Sequence, residues 1–172
     1  DMHPCYLADG GIAFISTRCQ ASTLCNGADA FTTPVLYRMD ADGRNLRRLS
    51  FGALSEFTPT LLPDGRIIFN STRLFTGVPC EDGQSYVSNL CLCDADGKNT
   101  RLLTFDQESN WYPTVLNDGR VLFTRYEYAN VSHQFGRLLF HMNPDGTNQM
   151  EFYGSNSYWP NSIFYARPIP NH

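Results

Sequence analysis

Short apolar runs alternate with polar turns along the whole chain, and the turns recur on a fixed beat. One series is Asp9-Gly10, Asp64-Gly65 and Asp118-Gly119, 55 and 54 residues apart; a second is Asp42-Gly43, Asp96-Gly97 and Asp145-Gly146, 54 and 49 apart. A proline precedes each turn of the first series, at Pro4, Pro59 and Pro113, and Pro160 follows without an Asp-Gly. A repeat of this length marks a solenoid, propeller or array. Asp-Gly between apolar runs is a strong hairpin signal. Two hairpins per unit make four strands, which is one propeller blade. The fold class read from the pattern is therefore all-β. It is a partial β-propeller of three four-stranded antiparallel blades, at about 3–51, 56–105 and 110–153, plus the first strand of a fourth within 157–167.

The side-chain alternation agrees with strands. Ile67-Ile68-Phe69 and Val121-Leu122-Phe123 are continuously apolar, as strands buried on both faces are. In Tyr37-Arg38-Met39, Cys91-Leu92-Cys93 and Phe140-His141-Met142 the outer two positions share a face. No window carries apolar residues at helical spacing, so no helix is expected. Propellers close with about 4–8 blades. Residues 1–172 are thus expected to be one truncated propeller domain of a longer protein.

Composition narrows the function classes. Hydrophobic content of 42% allows a core, and a net charge of −4 with scattered arginines excludes a nucleic-acid footprint. No apolar stretch is long enough to span a membrane as a helix. Six cysteines favour an oxidising, extracytoplasmic compartment, periplasmic or secreted. Cys19 with Cys25, and Cys80 with Cys91, would each pin an extended loop; connectivity is otherwise open. Simple burial is the competing reading for Cys91 and Cys93, whose counterparts are Tyr37/Phe140 and Met39/Met142.

Candidate chemistry is thin. No Gly-x-Ser-x-Gly elbow occurs, and His3, His133, His141 and His172 are scattered. The Asp-x-Asp-Gly-x-Asn runs at Asp40–Asn45 and Asp94–Asn99 fit hairpin turns better than calcium loops, because the third unit substitutes Asn143 yet keeps the Asp-Gly. No catalytic or metal-ligating residue is assigned, and no cofactor is expected within this segment. The connections at 18–34, 73–88 and 127–136 enter at one point of every unit and should gather on one face. They supply a candidate interaction face of Arg18, Asp29, Phe31, Arg73, Phe75, Glu127, Tyr128 and His133. The competing reading is solvated loops with each Arg paired locally.

The units P-x-x-x-x-D-G-[RG]-[IV]-x-F and D-x-D-G-x-N-x-R-x-L-[ST]-F resemble the TolB-type, WD40-like propeller repeat known as PD40. The match covers most of the chain; the third unit departs at Asn143 and Met150-Glu151-Phe152. More narrowly, DMHPCYLADGGIAFISTRCQ and HMNPDG…YGSNSYWPNSIFYARPIP are similar to the middle propeller domain of the hydrazine synthase alpha subunit and its relatives, which also bear c-type haem domains. The present chain has no Cys-x-x-Cys-His, so haem chemistry of a parent oxidoreductase would lie elsewhere. The resemblance implies an extracytoplasmic propeller that scaffolds and contacts protein, either other domains of its parent chain or another subunit. Two alternatives stand beside it: a propeller hydrolase or lyase with carboxylates on the central channel, and Tol-like peptide capture. For the former, Glu56 finds only Asp1 and Asn110 at matching slots. A last expectation concerns the steps Met2-His3-Pro4, Phe57-Thr58-Pro59, Trp111-Tyr112-Pro113 and Tyr158-Trp159-Pro160. The large residue two before each proline, Trp111 above all, should be buried between blades.

Overall fold

Each Asp-Gly is where the chain reverses, and the two residues divide the work. In the computed structural model, which describes residues 1–20, 33–52, 54–78, 86–127, 136–154 and 159–170, every Asp side chain accepts the N–H two residues on. The distances are 3.0 Å at Asp9, Asp64 and Asp118 and 2.9–3.0 Å at Asp42, Asp96 and Asp145. The glycine after it adopts φ between 82° and 91° in all six turns. This is a tight turn closed by a left-handed residue, where glycine carries no Cβ penalty. In the second series the Asn two residues beyond each glycine also has positive φ, and Asn45 and Asn99 donate to Asp40 and Asp94 at 2.6 and 2.7 Å. Those carboxylates are spent on the turn itself.

Among the described residues twelve strands form three antiparallel sheets, each ordered as the chain runs. Blade one is β1 (Met2–Tyr6), β2 (Ile12–Ser16), β3 (Val35–Met39) and β4 (Arg47–Arg48). Blade two is β5 (Glu56–Leu61), β6 (Ile67–Ser71), β7 (Asn89–Cys93) and β8 (Arg101–Leu102). Blade three is β9 (Asn110–Val115), β10 (Val121–Tyr126), β11 (Arg137–Met142) and β12 (Met150–Tyr153). No helix occurs among the described residues, and none is long and apolar enough to cross a membrane.

The blades pack face to face, so the middle strands are buried on both sides. Ala13, Ile15, Leu36 and Leu49 of blade one meet Ile67, Phe69, Cys91 and Cys93 of blade two. Ile68, Leu90 and Leu92 on the other face of blade two meet Val121, Phe123, Phe140 and Met142. Full burial of such a side chain is worth roughly 1.5–3 kcal/mol, so these two layers supply most of the driving force. Two of the second-series glycines, Gly97 and Gly146, lie in the same seams. A Cβ on Gly97 would come 2.4 Å from the Leu49 carbonyl oxygen, and one on Gly146 would come 3.1 Å from that of Leu103.

A backbone hydrogen bond recurs between successive blades at the start of each inner strand. Glu56 N–H donates to Pro34 O at 2.9 Å, Asn110 N–H to Ser88 O at 2.7 Å, and Ile163 N–H to Arg137 O at 2.8 Å. The third of these places the fourth inner segment. It is held by a parallel bridge between Arg137 and Ser162 rather than by a full strand. Its register differs from the one Pro160 suggested. Positive φ recurs at His3, Thr58, Tyr112 and Tyr165, so Phe164-Tyr165-Ala166 takes the place of the opening aromatic-proline step. Proline is a poor register marker there because backbone geometry, not the ring, defines the step.

The cysteines resolve towards burial. Cys91 and Cys93 are in the core between blades one and two, with free thiols pushed up to about 12 by desolvation. The expected bridge from Cys91 is therefore not formed: its side chain faces blade one rather than the preceding loop. Cys19 is also a free thiol, 3.5 Å from Thr33 O. Cys25 and Cys80 lie outside the described residues.

Candidate functional site at the mouth of the channel

The first strand of each blade lies innermost, and β1 contacts β5 as β5 contacts β9. Each of these strands carries a bulge, with register breaks at Met2/Cys5, Phe57/Thr60 and opposite Leu122/Thr124. A bulge leaves one residue unpaired and turns its side chain. A proline in that stretch loses no ladder bond, because it has no N–H to satisfy. The residue before it takes the strain: φ is 51° at His3, 44° at Thr58 and 55° at Tyr112, and Tyr165, before Ala166, repeats the step at 53°. Positive φ is costly for any L-residue and most so for β-branched Thr58.

All four of these residues line one cavity of about 370 Å³. Phe57, Tyr86 and Trp111 add aromatic wall, while Asn70, Thr72, Ser88 and Ser109 add hydroxyl and amide groups. The polar wall is wired from beneath. Thr58 Oγ1 donates to Asn70 Oδ1 at 2.6 Å, and Asn70 Nδ2 donates to Ser88 Oγ at 3.1 Å and to the Asn110 carbonyl. Thr58 N–H points to His3 Nδ1 at 3.4 Å. Burial holds the His3 imidazole below its usual pKa, which favours the neutral ring. Tyr112 is pushed up to about 12, first by desolvation and then by the Tyr165 phenol, whose ring centre is 4.0 Å away.

Trp111 departs from expectation. It is half-buried, stacks on Tyr126 of its own blade at 6.4 Å and 23°, and lines the cavity. Met2 and Phe57 likewise remain partly exposed. The bulge turns the step towards the channel, away from the seam between blades. It is Tyr112, next to the proline, that reaches the following segment, through Phe164 and Tyr165.

Beneath the cavity an arginine clamps the start of each inner strand. Arg18 meets Asp1 at 2.7 Å, Arg73 meets Glu56 at 2.6 Å, and Arg125 meets Asp106 at 3.0 Å and Asn110 Oδ1 at 3.1 Å. Each guanidinium also covers aromatic rings: Arg18 those of Phe14 and Tyr37, Arg73 that of Phe69, and Arg125 those of Phe123 and Phe140. Glu56 is 3% exposed and accepts from Ser50 Oγ and Leu36 N–H as well. Desolvation raises its pKa in spite of these partners.

Of the candidate interaction face, Arg18 and Arg73 are thus placed in clamps. Phe75 is half-exposed with its ring edge-on to Tyr86, and Glu127 is exposed at the end of β10. Asp29, Phe31, Tyr128 and His133 lie outside the described residues. Sequence reasoning missed Arg125 and Asp106. The signal was present: Arg125 precedes the Arg73-equivalent slot by two residues, so the alternation of a strand gives it the same face.

No sequence-family profile matches the chain, and no curated protein is similar to it in sequence. Solved structures are similar in shape. A putative TolB from Agrobacterium tumefaciens superposes with TM-score 0.63 at 21% identity, over 85% of this chain and 46% of that one. The Kuenenia stuttgartiensis hydrazine synthase superposes with TM-score 0.68 at 18% identity, over 91% and 26%. A puromycin hydrolase gives TM-score 0.58 at 15% identity, over 92% and 22%. The fold is a TolB-like β-propeller. The chain spans less than half of each of these proteins, and identities this low speak for the fold alone.

Proposed function

We propose that this chain is the scaffolding and protein-contacting segment of an extracytoplasmic propeller, with no catalytic role of its own. The likeness to TolB and hydrazine synthase supports a propeller scaffold or Tol-like binder in general terms. The observation that carries the finer reading is the use of charge at the channel mouth. The carboxylates nearest the axis are consumed by Arg18, Arg73 and Arg125, and the cavity above them is lined by uncharged side chains among the described residues. General acid–base chemistry needs a titratable group within reach of a substrate. Glu56 is instead enclosed by Ser50, Leu36 and Arg73.

The test uses the intact protein in its own cells. A photo-crosslinking residue at Phe75 should capture another protein or a neighbouring domain, and protease applied outside the cytoplasm should reach the chain. A hydrolase or lyase reading makes the opposite demand. Glu56→Gln would then abolish turnover by folded protein, and that result would replace the present reading.

A further inference from the structure

The cavity at the channel mouth has unspent hydrogen-bond capacity of one kind. Thr72 Oγ1 accepts from Ser55 N–H at 3.2 Å, Ser88 Oγ from Asn70 Nδ2 at 3.1 Å, and Ser109 Oγ from Ser88 N–H at 3.1 Å. All three residues are more than nine-tenths buried, at 8%, 6% and 7% exposure. In each case the hydroxyl acts as acceptor, and no bond from its own proton is made among the described residues. A hydroxyl carries one donor beside its acceptor sites, so three buried O–H donors stand at one wall. His3 adds a fourth. Its Nδ1 faces the Thr58 N–H, which leaves the proton of the neutral ring on Nε2.

Aromatic rings line the same cavity: Trp111, stacked on Tyr126, and the Tyr112–Tyr165 pair. Among the described residues no carboxylate, lysine or arginine lines the space; His3 is there as a ring held towards its neutral form. The volume falls in the range of about 300–1,000 Å³ typical of small-molecule sites. Backbone strain at His3, Thr58, Tyr112 and Tyr165 is retained where these groups line the same space, and such strain clusters at ligand sites.

We infer that this cavity binds a neutral saccharide of one or two rings. A sugar offers apolar C–H faces to aromatic rings and a rim of hydroxyl oxygens to O–H and N–H donors. Among the described lining residues an anion would find no arginine or lysine, and a charged amine would find no carboxylate. An added peptide strand would be recognised through main-chain bonds, but Pro4, Pro59 and Pro113 leave gaps in the donors along the inner edges. The lining of the cavity favours recognition by side chains.

Isothermal titration of the intact protein with glucose, N-acetylglucosamine and their β-1,4-linked disaccharides tests this directly. Saturable binding of at least one is expected, with glucuronate and glucosamine at least about tenfold weaker. Tyr165 is 56% exposed, so Tyr165→Ala should fold and weaken binding about tenfold. Ser88→Ala should weaken it through the lost donor, and Trp111→Phe should weaken it less because a ring remains. Phe51→Ala, at an exposed site on blade one, should change nothing. Absence of heat with all four neutral sugars overturns the inference. So does equal binding of the charged sugars, or capture of an uncharged proline-rich peptide in their place. The crosslinking result at Phe75 is read independently of any of these outcomes.

Discussion

In blade two the carboxylate that meets the clamping arginine comes from the inner strand itself, whereas in blade three it comes from the connection before that strand. Glu56 begins β5 and receives Arg73, which stands beyond the end of β6. At the same slot of β9 stands Asn110, fully buried, and the charge is carried by Asp106 four residues earlier. The arginine has moved as well, from the exit of the second strand into β10 at Arg125. Both arrangements reach back to the preceding blade through one hydroxyl. Ser50 Oγ accepts Leu36 N–H and donates to Glu56, while Thr104 Oγ1 accepts Leu90 N–H at 2.9 Å and lies 3.3 Å from Asn110 Nδ2. The two seams keep one electrostatic layout and supply it from different chain positions. Their cost of disruption should differ, because Glu56 is buried with its charge whereas Asp106 is part-exposed.

Arg73→Met should give the largest effect, about 3–5 kcal/mol lost in denaturant unfolding, since it leaves a buried carboxylate without its cation. A loss below about 1 kcal/mol would show that Glu56 is neutral in the fold and would break the comparison. Arg125→Met should cost less, about 1–3 kcal/mol, because the partners it leaves are an amide and a part-exposed acid. Equal losses in the two blades would mean that burial of the acid does not set the cost.

The pH dependence sharpens the contrast. Glu56 is raised above its ordinary 4.5 in the folded state, so the fold binds its proton more tightly than the unfolded chain does. Its contribution to stability is fully present below that ordinary value and declines as pH rises through the raised one. Subtracting the profile of Glu56→Gln from that of the parent, by thermal unfolding across the acid and neutral range, should expose this decline. Asn110→Asp would introduce a titrating group where blade three has none. Asp9, Asp64 and Asp118 act in the other sense: Arg38, Arg66 and Arg120 hold them below 3.8, and their contribution is lost on acidification. The smallest effect belongs to blade one. Arg18 and Asp1 are 37% and 58% exposed, so Asp1→Asn should change stability by less than about 1 kcal/mol at moderate salt.

Much of the architecture was legible because it is local. A hairpin needs an Asp to accept a nearby N–H and a Gly to take positive φ, and both requirements fall within four residues of chain. Glu56 and Asn110 were recognised as equivalent slots for the same reason. The clamp was not legible, because an alignment by position sees Glu56 become Asn110 and the Arg73 slot become Glu127, and reads a lost pair. Trp111 was misread because the choice between seam and channel rests on a bulge, which the step Trp-Tyr-Pro does not announce. The fourth step was misplaced because Ala166 stands where a proline was sought.

By itself, then, the order of residues determined the six turns, the strand pattern and the division into blades, since turn chemistry and side-chain alternation act over a few residues. Only the tertiary structure decided which acid meets which arginine, that the residues before the prolines share one cavity, and that Cys91 is packed between blades. Those outcomes depend on approaches between segments about fifty residues apart, and there burial, not sequence proximity, sets the energy of a charge, a ring or a thiol.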